Sequence, residues 1–198
     1  MSDLRGKLFA ALTGRQVDVS GTAGADLRGQ LMAVGGPSGR TKSGIDLTKA
    51  AKGLGVSRRT VERWVKTEQT GDGQRPSPGH AKKLATKARQ AATTKAGRKA
   101  ALAGSTVRQA VASRGARLSI TGLQGPRAAG RDYMRKRTTL LELDPSDAEA
   151  MMNAWENGGE KGFMTWATGH WGNEYLDDWK FESVDDLDVE RPYGGQWR

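Results

Sequence analysis

Arg58, Arg59, Thr60, Glu62 and Arg63 carry the densest recognition chemistry in the chain. They lie within DLTKAAKGLGVSRRTVERWVK, residues 46–66. Guanidinium, hydroxyl and carboxylate groups on one helix face can reach base edges and phosphates in a major groove. Lys66 extends that set by one turn. The plainer alternative is an amphipathic helical hairpin whose surface happens to be basic.

Two helices must hold these side chains. The first is predicted over 46–54, with Ala51 small enough for close packing. Gly55 stands where the turn needs a positive φ. Ser57 is suited to cap the second helix. Ala50, Leu54, Val56, Val61 and Trp64 have the spacing of a shared core. Turn glycine, cap, small residue and apolar spacing coincide in one run, which is the pattern of a helix-turn-helix.

The flanking segments complete a small helical domain. Leu4, Leu8 and Leu12 predict a short helix within 1–15, followed by a loop over 16–24. Leu27, Leu31 and Val34 predict a helix over 25–34 that packs on the pair. Residues 35–44 read as a basic loop and 67–79 as a helix break. From His80 to Leu102 the chain is Ala-rich and basic, which favours one helix. Its Lys82, Lys83 and Lys87 either follow DNA phosphates or only solubilise a linker.

After Gly104 the pattern changes. ARLSIT (116–121) and TTLLEL (138–143) read as strands. Between them GLQGPRAAGRDYMRKR, 122–137, reads as a Gly-rich basic loop, with Arg131 and Arg135 as candidate DNA contacts. Pro145 and the following acids open a helix that buries Ala148, Met151, Met152 and Trp155 and ends at Gly158–Gly159. A further helix over 162–171 buries Phe163, Trp166 and Ala167. Residues 175–190 read as an exposed acidic strand or strand pair, and 191–198 as a frayed end. The expected fold class is α+β. It comprises a helix-turn-helix domain over 1–79, a basic helical linker over 80–115 and an acidic, Trp-rich α+β domain over 116–198.

Charge divides the chain. Residues 1–141 hold 28 Lys+Arg and 8 Asp+Glu, a balance of +20; residues 142–198 hold 4 and 14, a balance of −10, which together make the net +10. The basic part would bind a polyanion by counterion release, and the acidic part should face away from it. Five of the six tryptophans lie from Trp155 onward, enough for a small core or a partner surface. Without cysteine, disulfides and thiolate metal sites are excluded. No apolar run approaches the ~18 residues of a membrane span, and the first fifteen residues do not read as a signal peptide. A cytoplasmic, nucleoid-associated protein without membrane contact is expected. His80 and His170 lack ligand spacing, and no phosphate loop or nucleophile elbow is present. The acid pairs Asp177–Asp178 and Asp185–Asp186 only weakly suggest Mg²⁺. No cofactor, no metal site and no ordinary enzyme activity are expected.

The order of parts resembles the telomere terminal proteins of linear actinomycete replicons, as in Streptomyces. The resemblance is densest in LGVSRRTVERWVK, 54–66, and extends through the basic Ala/Lys-rich segment and Ala116-Arg117-Leu118 to about residue 190. It implies telomeric DNA, a DNA polymerase and a telomere-associated protein as partners. It also implies protein priming, in which a side-chain hydroxyl accepts the first nucleotide and stays on the DNA 5′ end. The family places a Thr before Asp in the inter-strand loop. Here Arg131 precedes Asp132, and Tyr133 is the sole hydroxyl between Gly122 and Arg137. Tyr133 is thus the candidate acceptor, with Thr138 and Thr139 as alternatives; a packing or phosphate-stacking tyrosine is the plainer reading of Tyr133. A helix-turn-helix regulator, possibly dimeric, and a non-covalent replication initiator of a plasmid, phage or integrative element fit the same DNA-binding residues.

Overall fold

The computed structural model describes residues 4–71, 74–103, 105–128, 131–174 and 178–190. The fold is mixed helix and sheet, α+β, with eight helices among the described residues and one five-stranded antiparallel sheet. The chain divides into two compact units, 14–104 and 1–13 with 105–198.

The first unit is helical: α2 (Leu27–Gly35), α3 (Leu47–Leu54), α4 (Arg58–Thr70), α5 (Pro78–Thr93) and α6 (Lys95–Ala103). Side chains fix the starts of these helices. Asp26 accepts from Gly29 N, Asp46 from Lys49 N, Ser57 from Thr60 N and Ser77 from His80 N, each covering an amide the helix leaves open. Gly55 joins α3 to α4 at φ 69°, the left-handed conformation a side chain resists. Leu31, Ile45, Ala50, Leu54, Val61, Trp64 and Leu84 form the core. Two helix limits differ from expectation. α4 continues past Lys66 because TEQT is helix-compatible, and it stops at Gly71, φ 74°. The Ala-rich stretch is two helices, because Thr94 leaves the helical region at φ −98°, ψ 145°.

The second unit holds α1 (Leu4–Thr13), α7 (Thr106–Arg114), β1 (Ala116–Ala128), β2 (Arg131–Asp132), β3 (Arg135–Leu143), α8 (Pro145–Glu174), β4 (Trp179–Phe181) and β5 (Asp186–Glu190). β1 is central. It pairs with β3 on one side (Leu118 opposite Leu141, Ile120 opposite Thr139) and with β5 and β4 on the other. Leu118, Ile120, Leu141, Leu143 and Leu187 turn inward. α8 packs on that face, with Trp155 against Phe9 of α1 at 5.9 Å.

The expected boundaries move accordingly. Residues 80–103 are part of the helical core rather than a linker, since α5 buries Leu84, Ala85, Ala88 and Ala92. Residues 4–13 belong with the sheet, since Leu8, Phe9 and Leu12 are fully buried there. The basic loop expected over 122–137 is mostly hairpin. β2 keeps the register of β3, with Arg127 opposite Asp132. Gly122 and Gly125 are strand positions where a Cβ would collide with the carbonyl oxygens of Ser183 and Tyr133. The two helices expected after Pro145 are present, joined across a non-helical kink at Gly159 within α8, and Trp166 is only half-buried. The acidic strand pair is β4 and β5; the expectations for 175–177 and 191–198 lie outside the described residues.

Candidate nucleic-acid interface

α4 presents its polar residues on one exposed arc while Val61, Trp64 and Val65 face the core. Not every polar group there is available. Ser57 Oγ accepts from Thr60 N at 3.1 Å and lies 2.8 Å from Thr60 Oγ1, so both hydroxyls belong to the cap. Arg58 Nε donates to Glu62 Oε1 at 2.8 Å. Exposed pairs of this spacing contribute only about 0.3–0.5 kcal/mol, so a polyanion can displace Glu62. Arg59, Arg63 and Lys66 are exposed and have no side-chain partner among the described residues. At i, i+4 and i+7 they form a cationic stripe bordered by Glu62, which is turned to Arg58.

α5 adds cations beside this helix. Lys82, Lys83 and Lys87 are all exposed. The Lys83 ammonium lies 3.3 Å from where a Cβ on Gly55 would be, so it sits at the turn into α4. Lys87, one turn along, lines a groove with Lys49 of α3. Lys49, exposed on the first helix of the pair, was not among the sequence candidates, although its place just inside the Asp46 cap could have marked it. The whole unit 14–104 holds 18 Lys+Arg and 6 Asp+Glu, +12, leaving 14 and 16, −2, for the rest. The net positive charge thus lies in the helical unit, although the contrast is smaller than that of a cut at residue 141.

In the sheet unit the three candidate hydroxyls have distinct environments. Tyr133 is 49% exposed. Its backbone is clamped: its N–H donates to Pro126 O at 3.0 Å, and its carbonyl accepts from Arg137 Nη2 at 3.3 Å. Thr138 is exposed, its hydroxyl 2.8 Å from that of Thr121. Thr139 is only 8% exposed and donates to Gln124 Oε1 at 2.9 Å. The Gln124 amide in turn donates to the carbonyls of Ile120 and Arg137. Thr139 is therefore committed to the core, a correction to its place beside Thr138.

The cations of the hairpin also divide. Arg127 and Lys180 flank Asp132 at 3.7 and 3.6 Å, and Lys136 binds Asp185 at 2.8 Å. That contact holds the Asp185 carboxyl below its ordinary pKa and raises that of Lys136. Arg137 stacks 5.6 Å over Trp179, and desolvation lowers its pKa. Arg131 and Arg135 are exposed without a side-chain partner among the described residues. The acidic strand is not segregated from the basic hairpin: β5 is hydrogen-bonded directly to β1.

No cluster of His, Asp or Glu among the described residues could hold a metal ion. No helix among them is long and apolar enough to cross a membrane. Comparison with protein-family models, with curated proteins and with solved structures finds no match to the chain.

Proposed function

We propose that this is a double-stranded DNA-binding protein in which α3 and α4 act as a helix-turn-helix and α4 enters the major groove. The reading rests on the stripe of Arg59, Arg63 and Lys66, unneutralised on the outward side of a capped helix. Confinement of the net positive charge to the same unit supports it. Arg59 and Arg63 read base edges, Lys66 grips phosphate, and Lys83 lies beside the turn. A cytoplasmic site on the nucleoid follows from that role. The test is a titration against a duplex selected for binding, at fixed salt. Arg59→Ala and Arg63→Ala should each weaken specific binding by about 1–3 kcal/mol. Unchanged affinity would sink the assignment of α4.

We further propose that the replicon is linear and the DNA telomeric, with Tyr133 as protein primer. What favours this is an exposed tyrosine on a clamped backbone near the end of a hairpin, in a segment whose Arg131 and Arg135 have no side-chain partner among the described residues. In that reaction the Tyr133 phenolate oxygen attacks the α-phosphorus of a deoxynucleoside triphosphate. Pyrophosphate leaves, and the phenol proton passes to the polymerase site, whose metals promote the attack. A recruiting telomere-associated protein would be the second partner. Protein incubated with labelled deoxynucleotide, Mg²⁺, template and polymerase-containing extract should carry label that Tyr133→Phe removes. Label that survives Tyr133→Phe but not Thr138→Ala moves the acceptor. An unlabelled protein leaves a DNA-binding regulator or initiator.

A further inference from the structure

Arg15 is only 6% exposed, and no side-chain carboxylate among the described residues balances its charge. Its Nη2 donates to Ala101 O at 2.9 Å, while its Nε is buried without an acceptor among the described residues. Burial lowers its pKa, but a guanidinium remains charged at any ordinary pH. Arg98, equally buried, has its Nη1 on two carbonyls at the end of α5, Ala92 and Thr93, whereas Arg15 has the single Ala101 carbonyl in the last turn of α6. A buried cation without a counterion is strongly unfavourable.

Arg15 lines a cavity of about 310 Å³ between α2, α3, α5 and α6. Lys49 and Lys87 stand in the same wall, and no acidic residue does. Thr94, Ala96 and Gly97 at the start of α6 and Ala100 and Ala101 further along it complete the lining, with Thr94 Oγ1 accepting from Gly97 N at 3.0 Å. Gly97 is required there, since a Cβ would collide with the Gln90 carbonyl. Three cations and the start of α6 thus line a space far larger than a single water requires.

We infer that this cavity is an oxyanion site for a phosphate group, carried on DNA or on a small phosphate ester. Phosphate fits better than a single carboxylate because three positive groups line the space and a phosphate offers more charge and more acceptor oxygens. Where DNA supplies the phosphate, the inference rests on the DNA-binding reading above; where a small ester does, it is independent of it.

The test uses the full chain. Its thermal midpoint is followed against inorganic phosphate, with chloride adjusted to constant ionic strength. Lys49→Ala/Lys87→Ala is the main variant, because both side chains are exposed. Phosphate should raise the wild-type midpoint and leave that of the double variant unchanged. If duplex DNA abolishes the phosphate response and the double variant lowers the salt slope of DNA binding by about one, the phosphate belongs to DNA. A phosphate response indifferent to duplex assigns the site to a small ester. A lowered slope without a phosphate response still places a DNA phosphate here. Two results overturn the inference: a phosphate response that survives the double substitution, or no response together with an unchanged slope. Failure to bind any duplex would remove the function proposed above, while the phosphate titration would still decide this site.

Discussion

Thr138 and Thr139 are adjacent, yet one hydroxyl faces outward and the other is buried against Gln124. The difference is strand parity: successive side chains point to opposite faces of a sheet. Leu141 and Leu143 share the parity of Thr139, so TTLLEL already held this information. Reading 122–137 as loop put both threonines at a strand start, where parity carries little weight. Thr139→Val keeps the shape but leaves Gln124 Oε1 without its donor in a fully buried position. It should destabilise the sheet unit by about 1–3 kcal/mol in urea unfolding. Thr138→Ala, on the exposed face, should stay within about 0.5 kcal/mol. Equal effects would contradict the buried network. Arg15 is the opposite case. A lone Arg after Gly14 carries no sequence signal, because its burial depends on carbonyls and helices far along the chain.

Elements were legible where local chemistry decides them and illegible where tertiary contacts do. Ser57, read from the sequence as a cap, is used as one, and Asp26, Asp46 and Ser77 cap their helices by the same short-range chemistry without having been singled out. Gly122, Gly125 and Pro126 look like turn residues, but the glycines lie within a strand because neighbouring backbone leaves no room for a side chain. Gly158–Gly159 reads as a helix end, and the backbone does leave the helical region at Gly159; a second helix resumes at once, with Phe163, Ala167 and Trp171 buried beyond the kink. Gly159 takes φ 61° and ψ −143°, a combination nearly closed to other residues. Gly159→Ala should cost the sheet unit about 1–3 kcal/mol. Gly158→Ala, with nothing within 4 Å of its Cβ position, should be nearly neutral. Differential scanning calorimetry separates the two; an unchanged midpoint for Gly159→Ala would mean that the kink relaxes freely.

Charge along the chain suggested a basic two-thirds and an acidic third, whereas the compact units divide it differently. The hairpin β1–β3 is basic and still belongs with the acidic β5, through the ladder from Arg117 to Thr121. Long-range pairing of this kind leaves no local mark, so a cut at residue 141 looked natural from composition. The two cuts now make opposite predictions. A fragment 14–104 retains α2 to α6, their core and the +12 balance. It should melt cooperatively as a helical protein and bind duplex DNA with the salt slope of the full chain, since each phosphate contact contributes about 0.9 to that slope. A fragment 1–141 keeps most of the hairpin but loses α8, β4 and β5, which leaves Leu118, Ile120 and Leu141 uncovered. It should aggregate through that face and the free edges of its strands, as size-exclusion chromatography would read. A soluble, monomeric 1–141 alongside an unfolded 14–104 would overturn the division into these two units.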